Sequence, residues 1–304
     1  MRVSLWIQNT LPWSEIVELA TLADGDEAWD TVWFADHYMP NSEAGEVVDG
    51  DVHEAWAVLA ALAVVTRRVR LGPLVSPTSI HHPALLANRA ATIDHLSNGR
   101  FVLGLGAGWQ VNEHRAYGIE LEPPKERVDR FAEAIEIIRS LLDNNRTDYD
   151  GQYYRFTDAP CNPHPVQDSL PLLVGTSGRR MMMLTARWAD EWNTWGAPSL
   201  AGTNRRRFVR ACEDVGTDPA SMRTSAQSLV FFNDDPEVLA KRTAKVDMER
   251  AVSGNAEQLV EELNAYADIG FDEFIVLTGT FGRDAAERRE TIERFAAEVT
   301  ANLG

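Results

Sequence analysis

Short apolar and β-branched runs alternate with longer stretches whose apolar residues return every three or four positions, and the alternation continues along the whole chain. RVSLWI (2–7) is followed by WSEIVELATLADG (13–25), a helical pattern that stops at Gly25. TVWFA (31–35) precedes a loop and the helical EAWAVLAALAVVT (54–66). RVRLGPLVS (68–76) precedes PALLANRAATIDHLS (83–97), and RFVLGLG (100–106) precedes a loop, 109–126, and then ERVDRFAEAIEIIRSLLD (126–143). Beyond a polar insertion at about 143–170, PLLVG (171–175) leads into RRMMMLTARWA (179–189) and DEWNTWG (190–196) into LAGTNRRRFVRACEDVG (200–216). RTSAQSLVFF (223–232) is followed by two helical runs, 236–251 and 256–270, and EFIVLTG (273–279) by a last helix, 285–299.

Strands that alternate with helices pair in parallel. Eight such units in 304 residues predict an α/β fold, a closed (β/α)8 TIM barrel with insertions. No linker divides the chain, so one domain over 1–304 is expected, with GQYYRF (151–156) inside the insertion read as an extended hairpin-like arm.

The run GLGAG (104–108) resembles a phosphate-cradling glycine loop, but three features exclude a Rossmann reading. It lacks the third glycine of G-x-G-x-x-G, it lies in the fourth strand unit, and no helix begins directly after it. In a barrel, Gly104 and Gly106 would thin the C-terminal end of a strand so that a planar ligand could approach the backbone, and Ala107 and Gly108 would turn the chain outward. A tight turn alone is the plainer alternative. Asp36, His37, Ser76, Thr78, Gly175 to Gly178, Asn193 and Thr194 also fall at strand ends, which in a barrel is the rim where chemistry collects. GTSGRR (175–180) combines backbone N–H groups, two hydroxyls, a helix start and two arginines, which suits a phosphate or another anionic tail. A simple N-cap by Thr176 or Ser177 is the competing reading.

The formal net charge of −17 opposes general nucleic-acid binding and fits a solvated acidic surface. Cys161 and Cys212 form no Cys-x-x-Cys pair, and the His-Glu neighbours His53–Glu54 and Glu113–His114 form no ligand pattern, so no metal is expected. No run is long enough to span a membrane and the N-terminus lacks signal-peptide character, which predicts a cytoplasmic protein. His81 and His82 read as helix-start residues, with a side chain there able to reach a substrate. The Met181–Met183 stripe reads as core packing and NRRRF (204–208) as a solvated helix face.

VWFADHYMP, the long segment from His81 to Ile119, GQYYRF and PLLVGTSGRRMMMLTARWADEWN together resemble the luciferase-like monooxygenase superfamily, and within it the branch of coenzyme F420-dependent oxidoreductases. The likeness covers residues 1 to about 195 well and the last third loosely. It implies a bacterial luciferase-like barrel, a homodimer, and a flavin or deazaflavin held at the strand ends. By this resemblance Asp36 and His37 lie beside the ring, with His37 assisting proton or hydride transfer. Leu74, Val75 and Ser76 match a segment with a non-prolyl cis peptide that bulges against the back of the ring. Ala107, Gly108 and Asn112 border the cofactor, and Gly175, Thr176, Ser177 and Gly178 bind its phosphate.

One departure concerns the substrate. F420-dependent sugar-phosphate dehydrogenases have a glutamate directly after the glycine turn, where this sequence has Trp109. That points to an apolar or aromatic substrate pocket, with Trp6, Trp109, His81 and Asn193 as its candidate residues. Trp33, Trp192 and Trp195 serve the pocket or, for most of them, the core. The 38–53 loop would roof the pocket. The expected activity is hydride transfer between F420 and a small organic molecule, with His37 moving the proton and Asp36 orienting His37 or bonding the ring. The alternatives are an FMN-dependent monooxygenase using reduced FMN and O2, with a flavin or F420 reductase as supplier, and a non-catalytic barrel that binds flavin.

Overall fold

The computed structural model describes residues 1–42 and 44–304; of the 38–53 loop, only Glu43 lies outside them. The elements run β1 (Arg2–Ile7), α1 (Trp13–Gly25), β2 (Thr31–Phe34), α2 (Ala55–Val65), β3 (Arg70–Pro73), β4 (Ser76–Pro77), α3 (Pro83–Ser97) and β5 (Leu103–Gly106). Next come α4 (Val111–Tyr117), α5 (Pro124–Asp143), β6 (Thr147–Asp150), β7 (Arg155–Ala159), β8 (Leu172–Gly175), α6 (Arg179–Trp188), β9 (Glu191–Trp195) and α7 (Pro198–Val215). The chain closes with β10 (Arg223–Phe232), α8 (Pro236–Thr243), β11 (Ala251–Gly254), α9 (Ala256–Ile269), β12 (Glu273–Leu277) and α10 (Ala285–Glu298).

The main sheet is parallel, in the order β3-β2-β1-β12-β10-β9-β8-β5-β4. β3 and β4 are the two halves of one strand position. Leu71 N–H donates to Arg100 O (3.0 Å) and Val102 N–H to Leu71 O (2.9 Å), so the first half meets the approach to β5 while β4 pairs with β5 itself. The strands therefore wrap around as the (β/α)8 barrel that the alternation predicts.

Helix boundaries follow local chemistry. Pro83, Pro124, Pro198 and Pro236 open α3, α5, α7 and α8, where a missing N–H costs nothing. Gly118, Gly216 and Gly270 end α4, α7 and α9 in the left-handed conformation that favours glycine.

Two hydrophobic clusters divide the interior. The larger lies between the sheet and the helices, with Val3, Leu5 and Ile7 of β1 facing it. The smaller fills the barrel with Trp33, Leu74, Val102, Leu173 and Ile275, and Trp6 and Val75 pack on it. At the N-terminal end of the strands the barrel is plugged by charge. Arg223 bonds Glu273 (2.7 Å) and Asp30 (2.5 Å), Arg70 bonds Glu191, and Trp33 Nε1 donates to Glu273 (3.1 Å).

Three expectations need correction. The loop expected at 109–126 contains α4, whose seven residues are too few to register as a period. The helical run expected over 236–251 ends with α8 at Thr243, and Ala251 begins β11, which pairs with β10 outside the barrel path. The strand expected over 68–76 is interrupted at Leu74–Val75. The insertion folds as an antiparallel pair, β6 with β7, and most of GQYYRF is the turn between them.

Candidate active site

β2 ends at Phe34 and carries Asp36 and His37 over the mouth of the barrel, where their side chains take different directions. Asp36 is buried. Its Oδ2 accepts from Trp56 Nε1 (3.0 Å), Ser76 Oγ (2.5 Å) and His81 Nε2 (2.9 Å). Arg89 Nη1 approaches His81 Nδ1 at 3.4 Å. An arginine only donates, so Nδ1 accepts and the His81 proton sits on Nε2, facing Asp36. Burial pushes the Asp36 carboxyl up. The hydrogen bond from His81, with those from Ser76 and Trp56, more than offsets this and holds it below the usual aspartate value.

His37 turns instead to α4. Its Nδ1 lies 2.9 Å from Glu113 Oε1, and Glu113 Oε2 accepts the Tyr38 N–H at 3.0 Å. The histidine keeps 23% of its side chain exposed, whereas Glu113 keeps 1%. Trp109 meets the imidazole edge-on, with ring centroids 5.5 Å apart, and is itself exposed. The expectation that Asp36 orients His37 is thus corrected. Asp36 takes Ser76, Trp56 and His81 through Oδ2, and Glu113, 76 residues away in sequence, takes the histidine. Nothing in the spacing of Glu113 signals this, because the partner lies on another element.

The Leu74–Val75 peptide is cis, as the resemblance implied. The glycines of the mouth serve Val75 and its neighbours. A Cβ on Gly104 would lie 2.0 Å from Pro73 O, one on Gly106 2.7 Å from a Val75 methyl, and one on Gly175 3.2 Å from the other. The room at Gly104 and Gly106, expected to admit a ligand, is taken by the protein's own backbone and by Val75. Val75 is half-buried and presents the remaining surface to the mouth. Gly108 sits at φ +90°, with Ser79 Oγ where a Cβ would be. Ala107, beside it, is half-buried.

Around the mouth, Trp6 and Trp195 face one another with centroids 6.0 Å apart, and Arg250 lies over Trp195. Asn193 points inward and donates to Ser225 Oγ (2.9 Å). Thr194 points outward to Asn204 and Trp192 stacks on Phe208 outside the barrel, so neither joins the site. His82 caps α3, as expected of a helix-start residue, while His81 belongs to the buried Asp36 cluster. Asn112 is buried and donates to Pro40 O (2.9 Å) and Glu46 O (3.1 Å), tying α4 to the loop above the mouth. Gln110 and Tyr117 reinforce that tie by donating to Met39 O and Tyr38 O.

β8 ends at Gly175 and opens GTSG. Thr176 Oγ1 accepts the Gly178 N–H at 3.1 Å, and no side chain caps α6. The N-cap reading of Thr176 and Ser177 therefore does not hold. The first N–H groups of α6 remain open, with Ser177, Gly178, Arg179 and Arg180 exposed around them. Among the described residues, Gln227 Oε1, Thr78 Oγ1, Asn112 Oδ1 and Asp36 Oδ1 are buried without a hydrogen-bond partner.

A family model described as luciferase-like monooxygenase matches residues 1–249. The F420-dependent glucose-6-phosphate dehydrogenase of Nakamurella multipartita is 29% identical over 293 residues, covering 85% of this chain and 84% of that protein. The protein of the same name from Amycolatopsis mediterranei is 34% identical over 179 residues, a match that takes in 58% of this chain and 51%, about half, of that protein's length. A solved F420-dependent secondary alcohol dehydrogenase, in complex with an F420-acetone adduct, superposes with a TM-score of 0.82 at 20% identity over 100% of both chains. At that identity the likeness is one of fold. With more than half of its length matched by the family model, this chain belongs to the luciferase-like monooxygenase family.

Proposed function

We propose that the protein is an oxidoreductase that transfers a hydride between coenzyme F420 and a small apolar or aromatic organic substrate. The observation that carries this reading is the pairing, at one barrel end, of a partly exposed imidazole with an uncapped helix N-terminus. His37 is available to exchange a proton, and the loop Gly175–Gly178 with α6 is available to an anion. The family's F420-dependent members support the cofactor.

The residues of the mouth fit such a group. Val75, packed against Gly106 and Gly175, offers an apolar backing for a flat ring. Ala107 and Gly108 border the same space, Asn112 fixes the roof, and Ser177 and the α6 N–H groups meet the phosphate. Bound F420 supplies a two-electron hydride carrier; the barrel supplies placement and exclusion of water. His37 gives or takes the accompanying proton. Asp36 works at one remove by fastening Ser76, next to Val75, while His81 and Trp56 hold its carboxylate in place. Trp6, Trp109 and Trp195 make the substrate side apolar, which argues against a sugar phosphate as substrate although relatives carry that name.

An anaerobic fluorescence titration against F420 and FMN in parallel tests the reading. Micromolar or tighter F420 binding with weak FMN binding is expected. Tight FMN binding alone would replace the hydride reaction with a monooxygenase reaction, and binding of neither would overturn the redox assignment. The reading includes a homodimer. Val64 and Val65 on α2 and Leu85 and Leu96 on α3 leave apolar surface exposed on adjacent helices. Light scattering is expected to give twice the chain mass, and a monomer would remove this part of the reading.

A further inference from the structure

The buried carboxylate of Glu113 has two partners of unequal flexibility. One is the Tyr38 backbone N–H, which can only donate; the other is His37 Nδ1, which donates or accepts according to tautomer. An ionised carboxylate only accepts, so the pairing requires the proton on Nδ1. Nε2 is then the bare nitrogen, and among the described residues it has no hydrogen-bond partner. α4, which carries Glu113, is tied down on both sides. Asn112 and Gln110 fasten it to Pro40, Glu46 and Met39, and Arg127 Nη1 holds the turn before it at Gly108 O (2.5 Å). Trp109, on the same turn, packs nearly perpendicular to the imidazole with ring centroids 5.5 Å apart.

We propose that Glu113 is the positioning residue of this site: it locks His37 as the Nδ1–H tautomer, so that Nε2 is the atom that takes the proton from, or as imidazolium returns it to, the substrate oxygen or nitrogen. The functional half of this statement rests on the hydride-transfer reading above; the tautomer does not. The same logic makes Glu113→Gln an inverting change. A glutamine has one acceptor and one donor end, and the Tyr38 N–H must keep the acceptor. The amide NH2 then faces Nδ1, which turns acceptor, and the His37 proton moves to Nε2.

The test is nitrogen-15 NMR of histidine-labelled protein without cofactor, on the neutral ring, with the His37 signals identified by their loss in His37→Asn. Nδ1–H in the wild type and Nε2–H in Glu113→Gln are expected. Nε2–H in the wild type, or an unchanged Nδ1–H in a folded Glu113→Gln, would overturn the proposal. Should the variant not fold, the wild-type tautomer decides alone. In the same preparations F420 affinity should change less than threefold. Turnover with any substrate that reduces or oxidises F420 should fall about 10²-fold or more, the range of a lost acid–base group. Loss of F420 binding by the wild type would remove the hydride reading and leave the tautomer result standing.

Discussion

At the residue scale, two neighbouring side chains divide the work. His37 is partly exposed and joined to a carboxylate, and Asp36 is buried as an anchor for Ser76, Trp56 and His81. Replacing His37 by Asn should lower turnover about 10²–10⁴-fold while leaving F420 affinity nearly unchanged, a split that steady-state kinetics and fluorescence titration together resolve. Asp36→Ala should instead cost stability, about 2–4 kcal/mol, because three buried donors lose their acceptor. The pH dependence follows from the sign of its shift. With the folded carboxyl below its unfolded value, its stabilisation is complete above about pH 4 and is lost as the pH falls through the folded value. Urea midpoints taken on the acid side should therefore fall less steeply for Asp36→Asn than for the wild type. An equal slope would show that Asp36 is not held ionised by its partners.

At the element scale, the strand position shared by β3 and β4 dictates its neighbours. β5 and β8 carry glycine at 104, 106 and 175 because Pro73 and Val75 occupy the space where side chains would stand. Gly104→Ala should destabilise by about 3 kcal/mol or more, since the added carbon would meet a backbone carbonyl that cannot move aside. Gly25→Ala is the contrast. It closes α1 with nothing within 4 Å of the new carbon, and a gain of about 0.5–1 kcal/mol is expected. Equal urea midpoints for the two variants would refute the packing argument. The short α4 acts through its attachments, since about two turns of helix have little stability of their own. Its ties to residues 38–46 are what bring Glu113 to His37.

At the scale of the molecule, the barrel has a charged end and a chemical end. Arg70, Arg223, Asp30, Glu191 and Glu273 plug the N-terminal side of the barrel with ion pairs, opposite the strand C-termini that carry the proposed site. Arg223→Met should cost about 3 kcal/mol or more, because it leaves Glu273 and Asp30 without their cation, and added salt should not mask the loss. The exposed Lys125–Asp129 pair should, by comparison, leave the urea midpoint unchanged when Lys125 is replaced by Ala. The sequence by itself determined the eight strand–helix units, most helix ends and the mouth at which Asp36, His37 and GTSG gather. All of these are written in periodicity, prolines, glycines and strand ends, which act over a few residues. Only the tertiary structure decided that Glu113, rather than Asp36, holds His37, that His81 lies under Asp36, and that Gly104 and Gly106 make room for Pro73 and Val75 instead of a ligand. Those pairings join residues 30 to 80 positions apart on different elements, and their geometry exists only once the barrel has closed.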